Sequence, residues 1–133
     1  MQIIGVIGLN SVTYCYHGKH LFINSSIGEH GQVRIAIDAR MIRRDSMHGI
    51  ARYTFHLIEE LARLSTSHEI FVLVATKSPL LERSWPSHIA LVEAKSKWIS
   101  LHEQWEIPQI LRKYKIDLFH APSFVAPLFT PCR

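Results

Sequence analysis

Long apolar runs are missing from this 133-residue chain. The longest, such as IFVLVA at 70–75, reach six residues, against the roughly 18–20 that a membrane span needs. Cysteine is nearly absent. Cys15 and Cys132 stand near opposite ends, without metal or disulfide spacing, so two free thiols in a reducing compartment are expected. The nine histidines form no H-x-x-x-H or H-E-x-x-H, which argues against a metal site. The dinucleotide fingerprint G-x-G-x-x-G and the phosphate loop G-x-x-x-x-G-K-[ST] do not occur, which disfavours NAD enzymes and P-loop ATPases. Ser123 follows an apolar run but sits in no G-x-S-x-G elbow, which disfavours an α/β-hydrolase. The opening IIGVIGL has no basic residue before it and no small-residue cleavage pattern after it, unlike a signal peptide.

What is present is globular. Hydrophobic residues make up 47% and charged ones 20%, enough apolar side chains for the core of one domain. The net charge is +4 with histidines neutral. Lys and Arg are scattered, so no nucleic-acid-binding patch is expected.

The chain changes character at Val33. Residues 1–32 hold one lysine and one acid, and the remaining 14 basic and 10 acidic residues fall in 33–133. The first segment shows no helical or strand period that continues into anything. It reads as a mis-assigned start or a disordered leader. Val33 could be a GTG start codon giving MRIAIDAR, with Gly28-Glu29 encoding a ribosome-binding sequence.

Beyond it, strand-like and helix-like patterns alternate. VRIAIDA (33–39) is a run suited to a strand buried on both faces. A polar loop precedes a helix whose apolar stripe is Ile50, Tyr53, Leu57, Ile58, Leu61 and Leu64. IFVLVA (70–75), SHIALVEA (87–94) and IDLFHA (116–121) are further strands. A second helical region spans about Trp98 to Lys115, with Trp98, Leu101, Trp105, Pro108 and Leu111 on one side. Pro108 is expected to open a separate helix there. This order predicts an α/β fold, a Rossmann-like parallel sheet with flanking helices and right-handed crossovers. Such a sheet ending at its fourth strand leaves an edge and apolar helix faces uncovered.

Ligands of open parallel sheets sit beyond the carboxyl ends of the strands. Those ends hold Asp38-Ala39-Arg40, Ala75-Thr76 and His120-Ala121. His120 ends a buried strand and Pro122 stops the ladder. A neutral imidazole can donate and accept toward a polyhydroxylated substrate, or simply be capped by a carbonyl. Gly49 opens the first helix, where backbone N–H groups favour an anion, or it only eases a tight turn. Glu103 and Gln104 are expected mid-helix and in solvent.

Taken in order, RIAIDARMI, HGIARYTFHLIEEL, HEQWEIPQIL and DLFHAPSFVAPL resemble the opening of a family 4 (group 1) glycosyltransferase of the mannosyltransferase type. The resemblance covers 33–133. It implies a partial N-terminal domain of a GT-B fold, in which two Rossmann-like domains face a cleft, the N-terminal one mainly holding the acceptor. His120 then matches the family's strand-end histidine near the transferred sugar, the catalytic candidate. Gly49 matches the glycine loop that approaches the donor. Arg40 and Arg52 match as binding residues or as residues that position the loop. The resemblance implies transfer of a hexose, mannose among them, from a nucleotide sugar to a saccharide or lipid-linked saccharide. It implies retention of anomeric configuration, no metal, no cofactor beyond the nucleotide-sugar substrate, and a cytoplasmic place with room for peripheral membrane contact. The family's donor-domain pair E-x-x-x-x-x-x-x-E does not occur. The expectation is therefore an acceptor-side fragment, inactive alone. The alternative is a non-catalytic Rossmann-like module that binds a nucleotide or a partner.

Overall fold

The computed structural model describes residues 31–45, 47–123 and 126–133, together with the backbone of three strands nearer the amino terminus. It divides into two compact units, Met1–Gly31 and Gln32–Arg133, within one residue of the change in composition at Val33. In the first unit β1 (Ile4–Gly5), β2 (Val12–His17) and β3 (His20–Ser25) form an antiparallel sheet in the order β1-β2-β3. Tyr14 lies opposite Ile23, and Cys15 opposite Phe22. The aromatic and β-branched residues of VTYCYH and HLFINS favour extended backbone, and antiparallel pairing needs only such short runs.

The second unit runs β4 (Arg34–Asp38), α1 (Gly49–Arg63), β5 (Glu69–Ala75), a 3-10 turn (Pro79–Glu82), β6 (Ile89–Ala94), α2 (Glu103–Lys113) and β7 (Leu118–His120). Its four strands are all parallel, in the order β6-β5-β4-β7. Counted within this unit the order is third, second, first, fourth, the beginning of the doubly wound pattern. The fold is α/β and Rossmann-like.

Side chains alternate across the sheet, and each face has its own core. Ile37, Ile70, Val72 and Val74 pack with Ala51 and Ile58 of α1 and with Leu80. Ala36, Leu73 and Val92 pack with Ile107 and Leu111 of α2 and with Ile116. Covering both faces is what allows β4 and β5 to be apolar at nearly every position.

Two helix readings need correction. On α1 the buried residues are Ala51, Thr54 and Ile58, whereas Tyr53 and Leu64 are 55% and 56% exposed. The helix turns small side chains to the sheet, which allows close approach. The Thr54 hydroxyl stays satisfied by donating to the Ile50 carbonyl at 2.8 Å. On the other face, α2 starts at Glu103 instead of near Trp98, and Pro108 lies inside it, buried, without opening a second helix. Proline removes one helical N–H. Burial of Ile107, Pro108 and Leu111 outweighs that single bond. The helix ends with Lys115 in the left-handed region at φ 52°. The Ile116 N–H donates back to the Leu111 carbonyl at 3.0 Å, as in a Schellman turn.

Among the described residues no helix is long and apolar enough to cross a membrane.

Candidate functional site

The strand order reverses between β4 and β7. The first crossover leaves β4 on the α1 face, and the one reaching β7 comes through α2 on the other. Open α/β sheets bind ligands outside the carboxyl ends of the strands at such a reversal. Here those ends carry Asp38 and His120, with Ile37 and His120 in register.

Just past β4, the chain turns a cation back under the sheet edge. Arg40 is 2% exposed and Asp38 1%. The Arg40 Nε and Nη2 groups donate to the two Asp38 carboxylate oxygens at 2.9 and 2.7 Å. Nη2 also donates to Glu103 Oε2 at 3.0 Å, and Nη1 to Ser96 Oγ at 3.0 Å. Burial by itself lowers the Arg40 pKa. The hydrogen bonds and charges of Asp38 and Glu103 more than offset it, and the guanidinium is held above its ordinary value. Three connections are thereby tied together: the end of β4, the loop after β6, and the first turn of α2.

That clamp corrects the expectation for Glu103. It is the first residue of α2, 1% exposed, not a solvated mid-helix acid. A glutamate can be buried there because a guanidinium meets it. Its Oε2 also accepts the Ile99 N–H at 3.1 Å. Ile99 has φ 60°, a left-handed conformation that a β-branched residue rarely adopts. Next to it, Glu106 accepts the N–H groups of Lys95 and Ser96 at 2.8 and 2.5 Å. Burial raises the Glu106 pKa, but hydrogen bonds from the Ser96 hydroxyl and the Lys95 and Ser96 amides, with His102 nearby, bring it below the usual glutamate value.

The candidate residues read from sequence separate into two kinds. The Arg40 guanidinium is committed to protein partners. Arg52 and Gly49 are exposed on the first turn of α1. The His48 backbone caps that helix, and its side chain makes no capping hydrogen bond. Gly49 is outside the left-handed region, and a Cβ built on it meets nothing within 4 Å. The fold itself therefore places no demand for glycine there. His48 stacks on Trp98, with ring centroids 5.7 Å apart and an interplanar angle of 20°.

His120 ends β7, and its Nε2 is buried without a hydrogen-bond partner. Trp98 Nε1 is the other such atom among the described residues. Buried polar atoms left unpaired are costly and uncommon. Both belong to segments at the carboxyl edge, and both side chains lie on the α1 face, Trp98 by its packing there and His120 by its register with Ile37. Sequence reasoning missed Trp98 and Ser96 as parts of this edge. The available signal was Asp38-x-Arg40 straight after an apolar strand, a buried cation that needs partners. Among the described residues no three or more His, Cys, Asp or Glu side chains are grouped to hold a metal.

No family model matches this sequence, and no curated protein and no solved structure matches it. The class that the fold defines is a Rossmann-like α/β protein with the site edge at its strand-order reversal.

Proposed function

We propose that residues 33–133 are the acceptor-side Rossmann-like domain of a GT-B glycosyltransferase. The parent reaction moves a hexose, mannose among the candidates, from a nucleotide sugar to a saccharide or lipid-linked saccharide. The observation that carries the reading is His120 Nε2, a buried ring nitrogen without a protein partner at the strand-order reversal. A sugar hydroxyl offers both a donor and an acceptor to such a nitrogen. The ordered motifs of the glycosyltransferase resemblance and the third-second-first-fourth strand order also support it.

In this reading His120 hydrogen-bonds the transferred sugar as charge develops at the anomeric carbon. A bond that strengthens only in the transition state contributes about 2.7–4 kcal/mol. Gly49 leaves room for a ligand against the first turn of α1. Arg52, exposed one turn into the helix, is available to an anionic group. Arg40 acts through the clamp and positions the edge. The donor's own site is not among these residues, so transfer requires a donor domain.

Saturation-transfer NMR on the chain tests the reading, using mono- and oligosaccharides, nucleotide sugars, and the same nucleotides without sugar. The expected result is transfer to saccharide protons that His120→Ala abolishes. Transfer to nucleotides alone would favour a nucleotide-binding module, and no transfer to any saccharide would overturn the reading.

A further inference from the structure

The buried indole N–H of Trp98 donates to no protein group. Trp98 sits in the connection between β6 and α2. Because β5 separates β6 from β4, this connection crosses the carboxyl edge to reach the Arg40 clamp at the end of β4. Glutamates of α2 fix its backbone on both sides of Trp98. Glu106 accepts the Lys95 and Ser96 N–H groups, and Glu103 accepts that of Ile99. The indole face is held as well, by the His48 ring stacked on it at the start of α1. Directly after Trp98 comes the left-handed Ile99. Strained backbone persists where its surroundings over-determine it, and such positions cluster at ligand sites.

The chemistry that would satisfy this N–H is narrow. Indole nitrogen only donates, so its partner is an acceptor. The clamp beside it sets one guanidinium between the carboxylates of Asp38 and Glu103, and Glu106 brings a third carboxylate to the same connection. The neighbouring Lys95 and Lys97 are exposed, where water and salt screen their charge. That field disfavours a diphosphate or other anion. A neutral oxygen suits it.

We propose that Trp98 is a second ligand-binding residue of this edge, its indole N–H donating to an uncharged hydroxyl or ring oxygen of the saccharide. His48 is a positioning residue that holds the ring. The inference rests on the saccharide reading of the site and adds a specificity determinant to it. A ligand lacking that oxygen leaves the N–H unpaired and is discriminated against.

The indole N–H signals of the ¹⁵N-labelled full chain test it, with methyl α-mannopyranoside, the mono- and oligosaccharides and inorganic diphosphate as probes. The chain has three tryptophans, and Trp85 is the internal control, since its Nε1 already donates to the Leu80 carbonyl at 3.0 Å. The Trp98 signal is expected to move with saccharide occupancy while that of Trp85 stays in place. Trp98→Phe, which keeps an aromatic ring against His48 and removes the N–H, should weaken saccharide binding by about tenfold. Saccharide binding that moves His120 Nε2 but not the Trp98 signal overturns this inference and leaves the saccharide reading standing. So does undiminished saccharide binding by Trp98→Phe. A Trp98 signal moved by diphosphate and by no saccharide would assign the N–H to an anion and overturn it as well. If no saccharide moves either residue, both the inference and the reading fall.

Discussion

Arg40 and Glu103 lie 63 positions apart in sequence and meet at 3.0 Å, with side chains 1% and 2% exposed. Asp38 holds the same guanidinium at 2.7 Å, so two carboxylates share one cation. The contact joins the end of the first parallel strand to the start of the second helix, and thereby sets the edge on which the candidate site stands.

The imbalance of charge in this clamp makes its members unequal. Arg40→Ala would leave two buried carboxylates without their cation, and a loss of about 3–5 kcal/mol is expected. Glu103→Gln keeps the Asp38–Arg40 pair, removes the surplus negative charge and costs only about 0.5–1.5 kcal/mol. Urea denaturation of both variants checks the order. Equal losses would contradict the argument.

Ile99 is strained where it stands. Its left-handed backbone disfavours any side chain, and 54% exposure means little apolar burial is at stake. Ile99→Gly is expected to raise stability by about 0.5–1 kcal/mol, after allowing for glycine's greater freedom in the unfolded chain. Thermal denaturation decides it.

Acid should weaken the fold partly through Glu106. Its folded pKa lies below the ordinary value of 4.5, so the stability it contributes is fully present above that value. It is lost as pH falls through the lowered folded value. Glu106→Gln should flatten this part of the acid limb in stability measurements from roughly pH 3 to 7. An unchanged acid limb would count against the assignment.

Gly49→Ala separates fold from function at the start of α1. Nothing obstructs a Cβ there, and alanine restricts the unfolded chain, so stability should hold or rise by about 0.4–1 kcal/mol. Saccharide contact in saturation-transfer NMR should nevertheless fall if a ligand lies against this turn. A variant that binds undiminished would leave the glycine without a role in binding.

Much of this architecture was legible in the sequence, for a physical reason. Strands covered on both faces must be apolar nearly throughout, so RIAID, IFVLVA and IALVEA could be located locally. Helix orientation was less legible. Leu101 and Trp105 fit an inward stripe by spacing, yet both face water, because which side of α2 is covered depends on Ile107 and Leu111 meeting Ala36 and Leu73 on the sheet. Glu103 was illegible in the same way. Its burial depends on a guanidinium 63 residues away, and no local period encodes that. His120 could be found because strand end, proline stop and sheet edge coincide within a few residues.

The most direct test of the central claim reads the His120 ring nitrogens by two-dimensional ¹⁵N NMR while a bound saccharide is titrated in. His88 supplies an internal control, since its Nε2 already pairs with the Leu61 carbonyl at 3.1 Å. The account predicts that the His120 Nε2 signal moves with saccharide occupancy while that of His88 stays in place. A saccharide that binds without moving His120 Nε2, or a His120 signal unmoved by every saccharide tried, would contradict it.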